Sequence, residues 1–163
     1  LHVHPFCQRL LPLKQPHVKQ ILAGKMKEKQ IILKEDYKVS EAWGREELLV
    51  NVFRNLLENA LRASETQGEI FIGSGETDGY GLFTVEDKGV GMTQEELSHI
   101  MEPFYRADKS RSRKEGGAGL GLSVAKLIVE KFGGKISFSS EKGKGTKVFV
   151  FLQLPDKSVK RGT

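Results

Sequence analysis

Apolar residues recur three and four positions apart in two long stretches of this chain, and cluster in shorter runs bounded by turn residues elsewhere. Leu48, Leu49, Val52, Phe53, Leu56, Leu57, Ala60 and Leu61 make a broad stripe at the helical period, which predicts a long helix from about Arg45 to Ala63. A second strong helix is expected from about Leu120 to Phe132, stopped by Gly133 and Gly134. A weaker one is expected from Pro16 to Lys29, where Val18, Ile21, Leu22 and Met26 keep helical spacing and proline falls in the tolerant first turn. Thr93-Gln94-Glu95-Glu96 has the capping-box pattern and predicts the start of a short helix.

The remaining runs read as strands: 30–34, 69–74, 81–86, 135–140 and 146–154. A turn over Gly75 to Gly79 makes the second and third a hairpin, and Glu141 to Gly145 joins the last two. Residues 103–117 are polar, basic and without period. A loop of that length in a compact domain is usually functional or disordered. Strands in runs with a few helices argue for an α+β sandwich, one sheet against one helical layer. Pro5, Pro12 and Pro16 break up the opening, and the polar tail from Pro155 should fray. The chain thus divides into a weakly patterned segment and first helix (1–29), a core (30–154) and a tail (155–163).

Composition narrows the class. A chain of 163 residues suits one domain, and 38% hydrophobic with 29% charged residues is ordinary for a soluble protein. No apolar run approaches the roughly 18 residues that would cross a bilayer, nothing resembles a signal peptide, and a start at Leu1 suggests a piece of a longer protein. Cys7 is alone, which excludes an internal disulfide, and His2, His4, His17 and His99 lack the i, i+4 spacing of a zinc helix. The net charge of +5 fits nucleic acid, an anionic membrane face, a phosphate-rich ligand or a merely solvated surface. Glycine is the anomaly: there are 18, clustered between Gly68 and Gly145.

Three motifs carry chemistry. Asn51, Asn55, Asn59 and Arg62 form one polar stripe along the long helix. Asparagine is a poor helix former, so three in mid-helix need a reason; a row of amide oxygens for a cation, with a guanidinium one turn on for an anion, supplies one. Asp87-Lys88-Gly89-Val90-Gly91 puts a carboxylate at a strand end beside a loop without bulk, able to receive an exocyclic amine, although such sequences also occur in ordinary turns. Gly116-Gly117-Ala118-Gly119-Leu120-Gly121-Leu122 leads straight into a helix, where exposed N–H groups and the helix dipole make a phosphate cradle. It lacks the Gly-Lys-Ser/Thr ending of a Walker A loop and follows a basic loop, not the strand of a dinucleotide fold. Arg106, Lys109, Arg111, Arg113 and Lys114 crowd just upstream, as a mobile basic lid would.

The order of these motifs resembles the ATP-binding fold shared by histidine kinases, type II topoisomerases, Hsp90 and mismatch-repair ATPases, and most of all sensor histidine kinases. Asn55-Leu56-Leu57-Glu58-Asn59-Ala60 is similar to that family's N box, Asp87 to Gly91 to its G1 box, Pro103-Phe104-Tyr105-Arg106 to its F box, Gly117 to Leu122 to its G2 box, and Gly143-Lys144-Gly145-Thr146 to its closing turn. The resemblance covers about residues 30 to 154. It implies a two-layer sandwich, a mixed and largely antiparallel sheet against about three helices, with a long ATP lid. It also implies ATP and Mg²⁺ as cofactors. Asn59 would ligate the metal, with Asn55 near the same phosphates and Arg62 where a phosphate-touching lysine is usual. Asp87 would accept the adenine amine, with Gly89, Gly91 and Thr146 about it. Phe104, Arg106 and Lys109 would belong to the lid, Arg106 reaching the γ-phosphate, and the backbone of Gly117, Ala118, Gly119, Leu120, Gly121 and Leu122 would hold the phosphate chain. Lys88, Ala63 and Ala118 depart from the commoner asparagine, aromatic and threonine without removing a ligand.

Hydrolysing relatives place glutamate where this chain has Asn55. A neutral amide cannot act as general base, so Asn55 and Arg106 are expected to position ATP for transfer to a histidine, not to water. No histidine here has an acidic neighbour in a suitable helix. The implied partners are therefore a separate histidine-bearing dimerisation domain and, downstream, a response regulator, in the cytoplasm and with a parent protein that can be membrane-anchored; this segment itself is expected to touch no membrane. The alternatives are an ATPase of the same fold, a nucleotide-sensing module, or a basic interaction module. Nucleic-acid binding is not expected, because aromatics interleaved with basic residues on an open sheet face are not evident in the strands.

Overall fold

The computed structural model describes residues 8–9, 16–39, 41–106 and 119–155. In chain order the elements are β1 (Gln8–Arg9), α1 (Pro16–Glu28), β2 (Ile32–Tyr37), β3 (Trp43–Gly44), α2 (Glu46–Ala63), β4 (Glu69–Thr77), β5 (Tyr80–Asp87), α3 (Gln94–His99), α4 (Gly121–Lys131), β6 (Lys135–Glu141) and β7 (Gly145–Gln153). Five strands form one sheet in the order β2-β4-β5-β7-β6, with β2 parallel to β4 and the other pairs antiparallel. The expected mixed, largely antiparallel sheet is therefore present, with, among the described residues, three helices of eleven residues or more and the six-residue α3.

Period-two alternation sends one face of the sheet into the core. Ile70, Ile72, Phe83, Val85, Val148, Val150 and Leu152 meet Leu49, Val52, Phe53, Leu56 and Ala60 of α2, with Ala125 and Val129 of α4 and Val18 and Leu22 of α1 closing the sides. Phe53 and Phe83 touch edge to face at 5.6 Å. Removing that apolar area from water, at about 25 cal/mol per Å², is what holds helix layer and sheet together.

Strand β2 departs from its expected bounds at both ends, and β4 runs on to Thr77, pairing with β5 through Gly75 and Glu76, so that the hairpin turn shrinks from Gly75–Gly79 to Asp78 and Gly79. Strand β2 starts at Ile32 because Gln30 (φ 53°) and Ile31 finish α1: the Ile31 N–H donates to Met26 and the Gln30 N–H to Lys27, a Schellman stop with glutamine in the left-handed position. It then continues past Lys34 to Tyr37, paired with β4 throughout, since an edge strand tolerates the charges of Lys34, Glu35 and Asp36. The two-residue pairing of β1 with β3 has no periodicity to announce it. The loop beyond Arg106 and the tail beyond Pro155 lie outside the described residues.

The outer face of the sheet corrects an expectation. Phe71, Phe149 and Phe151 stand there, half-buried, among Lys34, Lys147 and Lys135, and the Lys147 ammonium lies 5.6 Å from the Phe149 ring centre. Aromatic and basic residues are interleaved after all, but from different strands, which a linear reading separates. Two of those lysines are engaged by neighbours, Lys34 with Glu69 at 2.6 Å and Lys147 with Glu86 at 3.2 Å. Among the described residues, no helix is long and apolar enough to cross a membrane.

Candidate nucleotide site

A cleft of about 550 Å³ opens between α2, the loop after β5, the start of α4 and the β6–β7 turn. That volume is ordinary for a small-molecule site. Asn55, Asn59 and Arg62 from α2, Asp87 and Gly91 from the second motif, and Gly119, Leu120, Gly121 and Leu122 from the third all line it, together with Arg106 and Thr146. Gly89 and Phe104 do not. Gly89 is tucked behind Asp87, and Phe104 turns its side chain outward, 71% exposed. Lys109, Gly117 and Ala118 lie outside the described residues.

The α2 stripe is bonded in two pairs. Asn55 donates its side-chain N–H to Asn51 Oδ1 at 2.8 Å, and Arg62 Nη1 donates to Asn59 Oδ1 at 3.3 Å. With its nitrogen turned to Asn51, Asn55 points its oxygen to the entry of α4: a methyl group on Gly121 would sit 3.2 Å from it. Glycine is what lets the helix come so close. The N-cap Leu120 contributes no side-chain acceptor, so its own side chain leaves the first N–H groups uncapped at the positive end of an eleven-residue helix.

Asp87 ends β5 at the floor of the cleft, 5% exposed. Burial pushes its carboxyl up to about 6, offset in part by the backbone N–H groups of Gly89, at 2.9 Å, and Thr146. Its neighbour Glu86 points to the outer face, where hydrogen bonds from Lys88 and Lys147 hold its carboxyl below the usual range. Around Asp87 the backbone is crowded. Gly91 and Gly145 have φ of 61° and 96°, and a Cβ on either would come within 1.9 Å of the Glu141 carbonyl oxygen or 2.0 Å of that of Asp87. No side chain fits.

Sequence reasoning missed several wall residues. Lys142 on the β6–β7 turn pairs with Glu96, its ammonium 3.2 Å from each carboxylate oxygen, while Glu96 also completes the capping box by accepting the Thr93 N–H at 2.8 Å. The capping box marked Glu96 as a helix-start residue but carried no sign of its second partner 46 positions away. Tyr105 lines the cleft as well and lies against His99, with ring centres 5.4 Å apart. Among the described residues no group of three or more His, Cys, Asp or Glu could hold a metal ion. A cation here would take hard amide oxygens and oxygens of its own ligand, which suits Mg²⁺, an ion commonly held by one or two protein groups and phosphates.

Residues 44–157 match the family described as histidine kinase-, DNA gyrase B- and HSP90-like ATPases, HATPase_c. The chain is 38% identical over 118 residues to the sensor histidine kinase RppB of Synechocystis, covering 72% of this chain and 26% of that protein. It is 38% identical over 121 residues to the sensor histidine kinase YkoH of Bacillus subtilis, covering 74% and 26%. It spans about a quarter of the length of these relatives. The catalytic domain of histidine kinase ThkA superposes with a TM-score of 0.74 at 22% identity, over 90% of this chain and 95% of that one, so the fold is shared. With more than half its length inside the family match, the chain belongs to the HATPase_c family of histidine kinase-, DNA gyrase B- and HSP90-like ATPases.

Proposed function

We propose that this chain is the catalytic, ATP-binding domain of a two-component sensor histidine kinase, passing the γ-phosphoryl group of ATP to a histidine on a separate dimerisation domain. One observation carries the reading: the α2 amides, the Asp87 carboxylate and the glycine-lined entry of α4 open into a single cleft. Asp87 accepts the exocyclic amine of adenine, beside Gly91 and Thr146. The phosphate chain lies over the first turn of α4, whose N–H groups and dipole favour its charge. Arg106, at the base of the lid, reaches the γ-phosphate, and Arg62 supplies a second positive charge. Asn59, with Asn55 beside it, offers the amide oxygens that hold Mg²⁺. When bound, that ion offsets charge on the phosphate oxygens and fixes their orientation.

Transfer breaks the bond between γ-phosphorus and the bridging oxygen, which leaves with ADP, and forms a bond from phosphorus to an imidazole nitrogen. The imidazole proton passes to an acidic residue on the acceptor's own helix. Asn55 cannot take a proton from water near pH 7, which favours transfer over hydrolysis. A response regulator then receives the phosphoryl group. We place the domain in the cytoplasm, as part of a longer protein that can be membrane-anchored, with residues 30–154 as its catalytic core.

The acceptor helix needs a landing surface. Val124 and Leu127, one turn apart on α4, are 37% and 67% exposed, and the exposed Phe104 belongs to the same end of the lid through its N–H bond to the Gly119 carbonyl. Apolar groups left in solvent beside a nucleotide cleft suit such docking. The test mixes the domain with labelled ATP, Mg²⁺ and a cognate dimerisation domain. Acid-labile label on the partner histidine is expected; label released only as inorganic phosphate would overturn the assignment in favour of an ATPase.

A further inference from the structure

Resting on the nucleotide reading, we infer that Ser140 is a positioning residue that sets base specificity, by fixing the Thr146 hydroxyl as a hydrogen-bond acceptor beside Asp87. Ser140, near the end of β6, has one hydroxyl oxygen and three partners. The Met92 N–H donates to it at 2.9 Å, it lies 2.9 Å from the Gly145 carbonyl oxygen, and the Thr146 hydroxyl is 2.8 Å away. The proton count decides the directions. The Met92 N–H can only donate and the Gly145 carbonyl can only accept. Ser140 has a single proton, so satisfying the carbonyl commits it, and the contact with Thr146 then requires Thr146 to be the donor. One arrangement satisfies all three contacts.

Its consequence falls on the cleft. Thr146 and Asp87 are directly opposed across β7 and β5, and both line the cavity. Asp87 already accepts the N–H groups of Gly89 and Thr146, and above its raised pKa its carboxylate can only accept. With its own proton spent on Ser140, the Thr146 hydroxyl also shows the cavity only lone pairs. The floor therefore presents two neighbouring acceptors and no rotatable donor. An exocyclic amine, as in adenine, meets them with protons; a carbonyl at the same ring position, as in hypoxanthine or guanine, meets them with lone pairs. Sites built to receive a donor reject the analogue that lacks one, because buried polar groups are left unpaired. Without Ser140 the Thr146 hydroxyl could rotate and donate, and the rejection would weaken.

The experiment compares ADP with IDP by calorimetry on the wild-type domain and on Ser140→Ala, Ser140→Thr and Thr146→Val, with melting temperatures for each. Wild type should prefer ADP, Ser140→Ala should lose about tenfold of that preference, one hydrogen bond's worth, and Ser140→Thr, which keeps the hydroxyl, should restore it. A purely structural Ser140 would weaken both nucleotides alike, and an unchanged ADP-to-IDP ratio in Ser140→Ala sinks the proposal. Should that variant not fold, Thr146→Val, with Ser140 intact, answers instead: a full wild-type ratio there overturns the idea. A wild-type domain that binds neither nucleotide would overturn the nucleotide reading itself, a result distinct from any change in ratio.

Discussion

Asn55 gives its side-chain amide proton to Asn51 Oδ1, one turn earlier in α2, at 2.8 Å, and so aims its own oxygen at the α4 entry rather than at solvent. Asn51 itself does not line the cleft, yet it decides which end of Asn55 does. Asn51→Ala should lower phosphoryl transfer about fivefold to tenfold, the worth of one hydrogen bond. The same change should raise the melting temperature slightly, because alanine is the better helix former by up to about 0.7 kcal/mol. Transfer assays and thermal melts on one protein sample check both signs.

Asp87 should be a residue the fold would be more stable without. Its carboxyl titrates near 6 when folded and near 3.9 when unfolded. The native state therefore binds more protons between those values, and stability falls as pH rises through the window. Above it the full penalty persists, of order 3 kcal/mol. Asp87→Asn should flatten this slope in urea melts between pH 4 and 7, and be more stable than wild type at pH 7.5, while losing adenine nucleotide affinity. The lowered carboxyls of Glu86 and Glu96 act in the opposite sense: their contribution holds above the usual glutamate value and is lost as pH drops below it.

Gly91→Ala and Gly145→Ala should both be severe. Each adds a Cβ about 2 Å from a backbone carbonyl oxygen, at a φ that disfavours any side chain. Strain and overlap together cost about 3 kcal/mol or more. Gly75→Ala, where a Cβ meets nothing within 4 Å, is the control and should lose at most about 1 kcal/mol. Chemical denaturation of the three variants ranks them.

Leu127→Asp separates docking from nucleotide binding. The side chain is 67% exposed, so stability should move by no more than about 0.5 kcal/mol and ATP affinity should hold. Transfer to the dimerisation domain should fall several-fold, through KM for that domain. An unchanged KM would remove α4 from the docking surface.

Most of the fold is legible in the sequence because the strong signals are local. The stripe over Leu49, Val52, Phe53, Leu56 and Ala60 calls for a helix with one face buried, which the sheet supplies, and the Thr93–Glu96 capping box forms as its pattern predicts. The Asn55, Asn59, Asp87 and Gly121 cluster is also foreseeable, since each residue type is costly where it stands unless something uses it. What a linear reading cannot reach are partners brought together by the sheet. Ser140 contacts Met92 across 48 positions, Lys142 meets Glu96 across 46, and the outer-face phenylalanines come from separate strands. The motif alone puts Phe104 in the site; in the fold its backbone N–H donates to the Gly119 carbonyl oxygen while its ring points away.

The end of α2 depends on a residue that lies outside the family match. Lys29 donates from its ammonium to the carbonyl oxygens of Leu61, at 2.8 Å, and Ser64, at 3.1 Å, closing the negative end of the helix whose last turn bears Arg62. The family match begins only at residue 44, and α1 lies wholly before it. A truncated version starting there would keep every motif yet leave Leu61 and Ser64 without their cation and Val18 and Leu22 missing from the interior. A piece that keeps this interior and this helix end must include α1 and Lys29.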